Sequence, residues 1–175
     1  MVKTPRFRDL IIIAIVVLIG LVWFVIARPD RDWLWFLPVF NEQPARIILY
    51  RDGEEIVLLP GERAYDDVNA AINQIVRKVK AKEPLMMSLE SLQETYDALS
   101  AVEVFYSEPV IIHTIQRFPM ADKYLFPQSG PYAEPPVVFA GFQRWSDYQE
   151  GALVLSSRAA LDEAVDRVWA TYGQE

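Results

Sequence analysis

The sequence predicts an α+β fold in which a single N-terminal transmembrane helix precedes a mostly antiparallel sheet with helices packed on one face. Two observations lead to this class: an uncharged apolar run near the N-terminus, and β-prone runs separated by amphipathic helical patterns after residue 45. The predicted divisions are a cytoplasmic tail at 1–9, a transmembrane helix at 10–27, an aromatic juxtamembrane neck at 28–44 and an extracytoplasmic domain at 45–175.

The apolar run comprises 18 consecutive uncharged residues, from Leu10 to Ala27. As a helix it would span about 27 Å, close to the hydrocarbon thickness of about 30 Å. It lacks the polar stripe that a helix on a globular core normally shows. A cleaved signal peptide is the alternative, but the apolar core of such peptides usually runs only about 7–15 residues. The run therefore predicts a retained anchor.

Charges around the apolar run predict its orientation. Lys3, Arg6 and Arg8 precede it, whereas Arg28 and Arg31 follow it closely. Because basic residues resist translocation, this bias favours a cytoplasmic N-terminus and an extracytoplasmic C-terminal domain in the cell membrane.

The composition beyond Asp32 narrows the classes of partner. This part has 12 Lys and Arg against 21 Asp and Glu, a formal net charge of −9. Such an acidic surface repels nucleic acid and anionic headgroups, so no nucleic-acid partner is expected. The chain has no cysteine, which excludes a disulfide framework, a thiolate metal site and a cysteine nucleophile.

The domain begins with a predicted hairpin and two predicted helices. Runs at 46–50 and 55–59 flank Asp52-Gly53, a pair that tolerates the positive φ of a tight turn. Apolar residues from Val68 to Val79 then recur at helical spacing. Asp66 and Asp67 are placed to cap this helix, and Arg77, Lys78, Lys80 and Lys82 to end it. Ser91 and Glu94 form a capping-box pattern for the second, shorter helix.

The C-terminal half of the sequence predicts several strands followed by a helix. Six of the twelve prolines lie from Pro109 to Pro136, between short β-prone runs at 102–106, 110–115, 124–126 and 137–142. A last strand at 152–155 leads into a helix with predicted i,i+4 ion pairs, Arg158 with Asp162 and Glu163 with Arg167. The Pro-rich segment 127–136 is interpreted as a stiff connector, with a polyproline ligand as the alternative.

His113 is the only histidine and the first candidate for acid–base or metal chemistry. Alternation places it on one strand face with Ile111 and Ile115, and no HExxH-type spacing accompanies it. A structural or surface histidine is the favoured interpretation.

Adjacent carboxylates are the second candidates, because two acids can share acid and base roles. Each pair has a simpler interpretation as a helix cap, a strand edge or a solvated helix face: Asp66/Asp67, Glu54/Glu55 and Asp162/Glu163, respectively. No phosphate-binding glycine loop is present. The sequence therefore predicts a non-enzymatic protein with no catalytic, cofactor-binding or metal-ligating residues and no cofactor.

The stretch "WLWFLPVF" contains the predicted docking residues Trp33, Trp35, Phe36 and Phe40. If solvated, their side chains would expose roughly 600–1,000 Å², more than the usual largest apolar patch of about 300–600 Å². Three hosts are considered: the membrane interface, the domain's own core, and a groove on a partner membrane protein.

These observations predict a membrane-anchored extracytoplasmic interaction domain, acting as a non-catalytic accessory or assembly subunit of a membrane complex. The expected partners are the lipid bilayer and one or more membrane proteins. A tethered sensor or ligand-binding domain is the alternative, and an unrecognised carboxylate-dependent hydrolase comes third.

Overall fold

The structure, a computed structural model, describes residues 7–27, 39–114 and 118–172. Its helices are α1 (Phe7–Ala27), α2 (Arg63–Val76), α3 (Leu89–Ala98) and α4 (Ala159–Tyr172). Its strands are β1 (Arg46–Arg51), β2 (Glu54–Leu58), β3 (Val79–Glu83), β4 (Ser100–Val110), β5 (Ala121–Pro127), β6 (Val137–Gly141) and β7 (Tyr148–Leu155).

The strands of the described residues form one sheet in the order β2-β1-β4-β5-β6-β7-β3, and every neighbouring pair is antiparallel. The predicted hairpin is confirmed: Arg51 pairs with Glu54 across a turn in which Asp52 and Gly53 have φ of 53° and 81°. Two consecutive positive φ values are typical of a type I′ turn, whose twist matches that of the strands. The predicted α+β class is confirmed.

One face of the sheet packs against α2 and α4, and we call it the α2–α4 face. Buried side chains from alternate strand positions meet the apolar sides of both helices there. The strand residues include Ile47, Leu49, Val102, Val104, Phe126 and Leu153, and the helix residues include Val68, Ile72, Leu161, Val165 and Val168. This is the larger hydrophobic core of the domain.

The opposite face, here called the α3 face, carries the third helix. Leu92 and Tyr96 of α3 pack with Leu125, Phe139 and other side chains that alternate with those of the first core. The domain's helices are therefore divided between the two faces, two on one and one on the other, whereas the sequence predicts all of them on one face. Because strand side chains alternate, each buried strand must satisfy a core on both sides.

The positively charged segment after α2 differs from its prediction. The helix ends at Val76, with Arg77 as its C-cap, and Val79–Glu83 forms the edge strand β3 instead of the last helical turn. Residues 79–82 alternate between apolar or small and charged types, and β3 pairs with the neighbouring strand β7. Lysines on an edge strand oppose pairing with other chains.

Helix starts also differ from the predictions by about one turn. Helix α2 begins after Glu62, so that Asp66 lies in its first turn instead of capping it. Helix α3 begins after Ser88, whose Oγ accepts a hydrogen bond of 3.0 Å from the Ser91 backbone N–H. Ser88 is the N-cap residue because its side chain bonds a backbone N–H that the helix itself leaves free. The cap therefore lies about one turn before the predicted capping box of Ser91 and Glu94.

His113 does not lie on a strand, contrary to the prediction. The β4 strand ends at Val110, and residues 111–114 have no regular structure. Pairing of β4 with β5 shifts register between Phe105 and Val110, and Pro109 lacks a donor for the ladder. Ile115 lies outside the described residues.

Residues 39–45, here called the leading segment, pack against the domain through the buried residues Phe40 and Pro44, although 28–44 is predicted as the neck. Phe40 is 4% exposed, and its ring lies 6.3 Å from that of Tyr106 in an edge-to-face contact. The Phe40 carbonyl accepts hydrogen bonds from Nε and Nη2 of Arg77 at 2.8 and 2.6 Å. Glu42 exchanges backbone hydrogen bonds with the Asn73 side chain.

Candidate functional site

The apolar helix α1 is the first functional feature. From Phe7 to Val25 it is long and apolar enough to cross a membrane, and the described side chains make no core with the domain. A signal sequence has the same properties at the same place in a chain. The composition therefore supports a membrane-directed helix.

The predicted docking residues fall into two groups. Trp33, Trp35 and Phe36 lie outside the described residues. Phe40 lies beside Tyr106 in the domain's own core, and this core is one of the three hosts that the sequence allows for the aromatic residues. The structure therefore gives Phe40 a packing role, and the docking hypothesis for the neck depends on the other three aromatics.

A buried carboxylate lies at the centre of the α3 face. Glu103 of β4 is 4% exposed and accepts hydrogen bonds from three tyrosine hydroxyls. Tyr50 of β1 donates to Oε2 at 3.1 Å, whereas Tyr96 of α3 and Tyr148 of β7 donate to Oε1 at 3.1 and 2.5 Å. One side chain thus joins two strands and a helix to β4. We call these four residues the Glu103 cluster.

Burial and the neighbouring carboxylate keep the tyrosines of the Glu103 cluster protonated. Burial, and then the charge of Glu103, raise the pKa of Tyr50, Tyr96 and Tyr148 above the ordinary tyrosine value. Protonated phenols are the donors that a buried carboxylate requires, because an unsatisfied charge in the core is costly. The arrangement is chemically suited to holding α3 on the sheet.

Lys123 of β5 is the second buried charge on the α3 face, at 5% exposure. Its Nζ donates to the backbone carbonyls of Trp145 and Ser146 at 2.8 and 3.4 Å, and lies 4.5 Å from the centre of the Tyr148 ring. Burial lowers the pKa of Lys123, and the charge of Glu103 opposes that shift. Lys123 therefore connects the Glu103 cluster with the loop between β6 and β7.

That loop, residues 142–147, is here called the aromatic turn. Its Trp145 N–H donates to the Phe142 carbonyl at 2.9 Å, and the two rings meet edge-to-face with centres 5.1 Å apart. The Arg144 guanidinium carbon lies 4.6 Å from the centre of the Trp145 ring and 5.1 Å from that of Phe142. Trp145 is nevertheless 48% exposed. The turn presents an amphipathic pair of side chains on a well-supported backbone.

A groove lies between the start of α2 and the end of α4. It has a volume of about 760 Å³, and its polar lining includes Glu62, Arg63, Asp67 and Arg167. The Glu62 Oε2 atom is buried and has no hydrogen-bond partner among the described residues. Charges of both signs therefore line this groove.

The other sequence candidates are separated from one another. Glu54 and Glu55 are exposed on β2, and Asp66 and Asp67 are exposed on α2. The predicted ion pairs of α4 are confirmed, at 2.7 Å for Arg158–Asp162 and 2.9 Å for Glu163–Arg167. Within 7–27, 39–114 and 118–172, no three His, Asp or Glu side chains are grouped to hold a metal ion.

The Pro-rich segment is tied to the domain. Arg158 donates hydrogen bonds to the carbonyls of Pro127, Gln128 and Ala133, and Tyr132 donates to the Met86 carbonyl. These contacts are consistent with its interpretation as a connector.

The Glu103 cluster and the aromatic turn have no recognisable motif in the sequence. The available signal was a single carboxylate inside an apolar strand, in the run Ala101-Val102-Glu103-Val104-Phe105. A charge at such a position requires partners, which implies a buried polar cluster. The partners themselves lie on distant segments and have no recognisable spacing.

The chain matches no protein-family model, no curated protein and no solved structure. Its function is therefore inferred from its own residues.

Proposed function

We propose that this protein is a single-pass, membrane-anchored accessory or assembly subunit, whose extracytoplasmic α+β domain acts by contact with a membrane-protein partner. The observation that carries the proposal is the helix α1, which is uncharged and apolar from Leu10 to Ala27 and precedes a folded domain. The charge bias around the helix supports a cytoplasmic N-terminus and an extracytoplasmic domain in the cell membrane.

The neck supplies the proposed docking surface. Trp33, Trp35 and Phe36 lie between α1 and the leading segment, where a partner membrane protein or the lipid interface is within reach. Phe40 is assigned to the core and is not part of this surface. No catalytic step is included in the proposal, because the central buried carboxylate is engaged by three hydroxyl donors.

A tethered ligand-binding or sensor domain is the second candidate, and the α2–α4 groove favours it. Its volume of about 760 Å³ is within the range of small-molecule sites, which is about 300–1,000 Å³. Its mixed charges and the unpartnered Glu62 oxygen are suited to a polar, zwitterionic ligand. A hydrolase that uses carboxylates remains the third candidate.

Co-purification of the full chain after mild detergent solubilisation tests the leading proposal. A subunit should be recovered with other membrane proteins at a constant ratio. Recovery of the chain alone, together with stabilisation by a small ligand, would favour the sensor.

A neck variant sharpens that test. Changing Trp33, Trp35 and Phe36 together to Ser should reduce recovery of the complex while the domain stays folded, because Phe40 is retained. The matched control changes three exposed apolar residues outside the neck, Leu59, Met86 and Leu89, to Ser. Equal recovery from both variants would contradict docking through the neck.

Protease accessibility tests the orientation. Protease added outside intact cells or spheroplasts should digest the domain and spare a tag fused before Met1. A protected domain would reverse the topology. A mature chain that begins at Arg28 would show a cleaved signal peptide.

A further inference from the structure

The aromatic turn lies beside the part of the domain that is joined to the membrane helix. Phe40, in the leading segment, packs on the Tyr106 ring, and the Ala45 N–H donates to the neighbouring Phe105 carbonyl at 2.7 Å. Gln143 of the turn donates through Nε2 to the Tyr106 carbonyl at 2.7 Å. The leading segment and the aromatic turn therefore meet at one residue, Tyr106.

Covalent geometry limits the distance between Val39 and the bilayer if α1 is an anchor. Only residues 28–38 separate α1 from Val39. Since an extended chain covers at most about 3.3–3.6 Å per residue, Val39 lies within roughly 40 Å of the end of the helix. That reach still permits many orientations of the domain, because its seven strands at about 4.8 Å spacing extend over roughly 30 Å. A second contact would be needed to orient it.

The aromatic turn is built to present its tryptophan outward. Its backbone is held from beneath by Lys123, and the Gln143 N–H donates to Oδ1 of Asp122 at 2.6 Å. Trp145 is about half exposed with Arg144 stacked on it, and Met120, before the adjacent strand β5, is 42% exposed. An amphipathic indole beside a guanidinium suits the headgroup region of a bilayer, where tryptophan is enriched and arginine reaches phosphate.

We propose that the aromatic turn, through Trp145 and Arg144, inserts into the headgroup region of the bilayer that holds α1 and thereby orients the domain on the membrane. This proposal rests on the anchoring part of the proposed function. Asp147 lies in the turn and Asp122 accepts a hydrogen bond from its backbone, and the chain beyond Asp32 carries a net charge of −9. Ring insertion, and not attraction to anionic lipid, therefore drives the contact, and zwitterionic phosphatidylcholine is sufficient.

The absence of cysteine allows a single probe to be placed at will. The full chain would be reconstituted into phosphatidylcholine vesicles as Ser146→Cys or as Glu54→Cys, each labelled with an environment-sensitive fluorophore. Both positions are exposed, but Glu54 begins β2 at the opposite end of the sheet. A lipid that carries a nitroxide on its headgroup should quench the probe at position 146 several-fold more than the probe at position 54.

The double change Trp145→Ser with Arg144→Ser, made in the Ser146→Cys chain, should reduce quenching to the level at position 54. Flotation with the vesicles should be unchanged, and thermal unfolding of this variant confirms that the domain is intact.

The outcomes separate the two proposals. Flotation with equally weak quenching at both positions would overturn the role of the turn and leave the anchor standing. Failure of the wild-type chain to float would overturn the anchor, and the orientation proposal with it. Shielding of position 146 in native membranes but not in pure lipid would overturn the lipid contact in favour of a protein partner.

Discussion

The two faces of the sheet are stabilised by different interactions, although the same strands supply both. The α2–α4 face is packed with apolar and aromatic side chains from two helices and alternate strand positions. The α3 face has a smaller hydrophobic cluster around Leu125 and Phe139, together with the buried charges Glu103 and Lys123. Apolar contact is tolerant of direction, whereas hydrogen bonds to a buried carboxylate require particular geometry.

The α2–α4 face mainly stabilises the domain, whereas the polar groups of the α3 face also fix the positions of a helix and a loop. On the α3 face, hydrogen bonds to Glu103 hold Tyr96 of α3 and Tyr148 of β7 in place. Lys123, next to them, holds the aromatic turn through the Trp145 carbonyl. A purely apolar cluster would bury a similar area without holding the Trp145 and Ser146 carbonyls. The polar groups on this face therefore link the core to the surface proposed to meet the membrane.

The largest expected effect is that of Glu103→Ala on the α3 face. Three tyrosine hydroxyls would lose their acceptor and Lys123 its neighbouring carboxylate, so the free energy of unfolding should fall by about 3–5 kcal/mol. Urea unfolding of the full chain in mild detergent, followed by circular dichroism, measures the change. Glu103→Gln, which keeps an acceptor oxygen, should lose less. An alanine variant as stable as the exposed control Glu54→Ala would contradict the role of the cluster.

The matching change on the α2–α4 face is Leu161→Ala. Leu161 is 0% exposed in the larger core, and its truncation should cost about 2–5 kcal/mol through lost burial and a residual cavity. The same unfolding measurement applies. Leu59→Ala is the control, because Leu59 is 48% exposed. Similar losses from both leucine variants would show that α4 does not pack as described.

Gly141→Ala should have an intermediate effect on the free energy of unfolding, and it should act on the α3 face. A Cβ at this position would lie 2.6 Å from Lys123 Cε, 3.1 Å from the Asp147 carbonyl oxygen and 3.2 Å from Tyr148 Cδ1. We expect a loss of about 1–3 kcal/mol, as is typical of overpacking. Gly20→Ala is the control, since nothing lies within 4 Å of a Cβ there. Unchanged stability would mean that Lys123 moves aside freely.

The last effect, which is absent at neutral pH, is a loss of stability at alkaline pH. Above pH of about 10, tyrosines ionise in the unfolded chain, whereas the raised pKa values keep Tyr50, Tyr96 and Tyr148 protonated in the folded state. The unfolded state then binds fewer protons, so stability falls with pH, by at most about 1.4 kcal/mol per pH unit for each such tyrosine. Lys123 has the opposite effect, because its pKa is lowered in the folded state. At pH values just below its ordinary pKa, the unfolded chain binds more protons at this lysine, so stability rises with pH there.

Urea unfolding at a series of alkaline pH values measures this slope. Tyr50→Phe removes one of the tyrosines whose pKa is raised in the folded state and should make the slope shallower. A slope that is identical in the variant and the wild-type chain would argue against protonation of Tyr50 in the folded state.

Prediction from sequence succeeded where the relevant interactions are local. The hairpin depends on Asp52-Gly53, and the ion pairs of α4 depend on i,i+4 spacing, so neighbouring residues suffice to specify them. It was wrong about Val79, because β3 exists only through pairing with β7, which is distant in the chain. His113 was misplaced for a related reason, since the end of β4 is determined by its register with β5.

The sequence by itself determined that this protein has an apolar N-terminal helix of membrane-spanning length, an acidic α+β domain and no cysteine chemistry. These properties depend on composition and short-range periodicity, which survive without knowledge of the fold. Only the tertiary structure decided that Phe40 is a core residue, that Glu103 binds three tyrosine hydroxyls, and that Lys123 supports the aromatic turn. Those contacts join residues far apart in the chain, and their partners are chosen by strand register and helix placement, which no local pattern encodes.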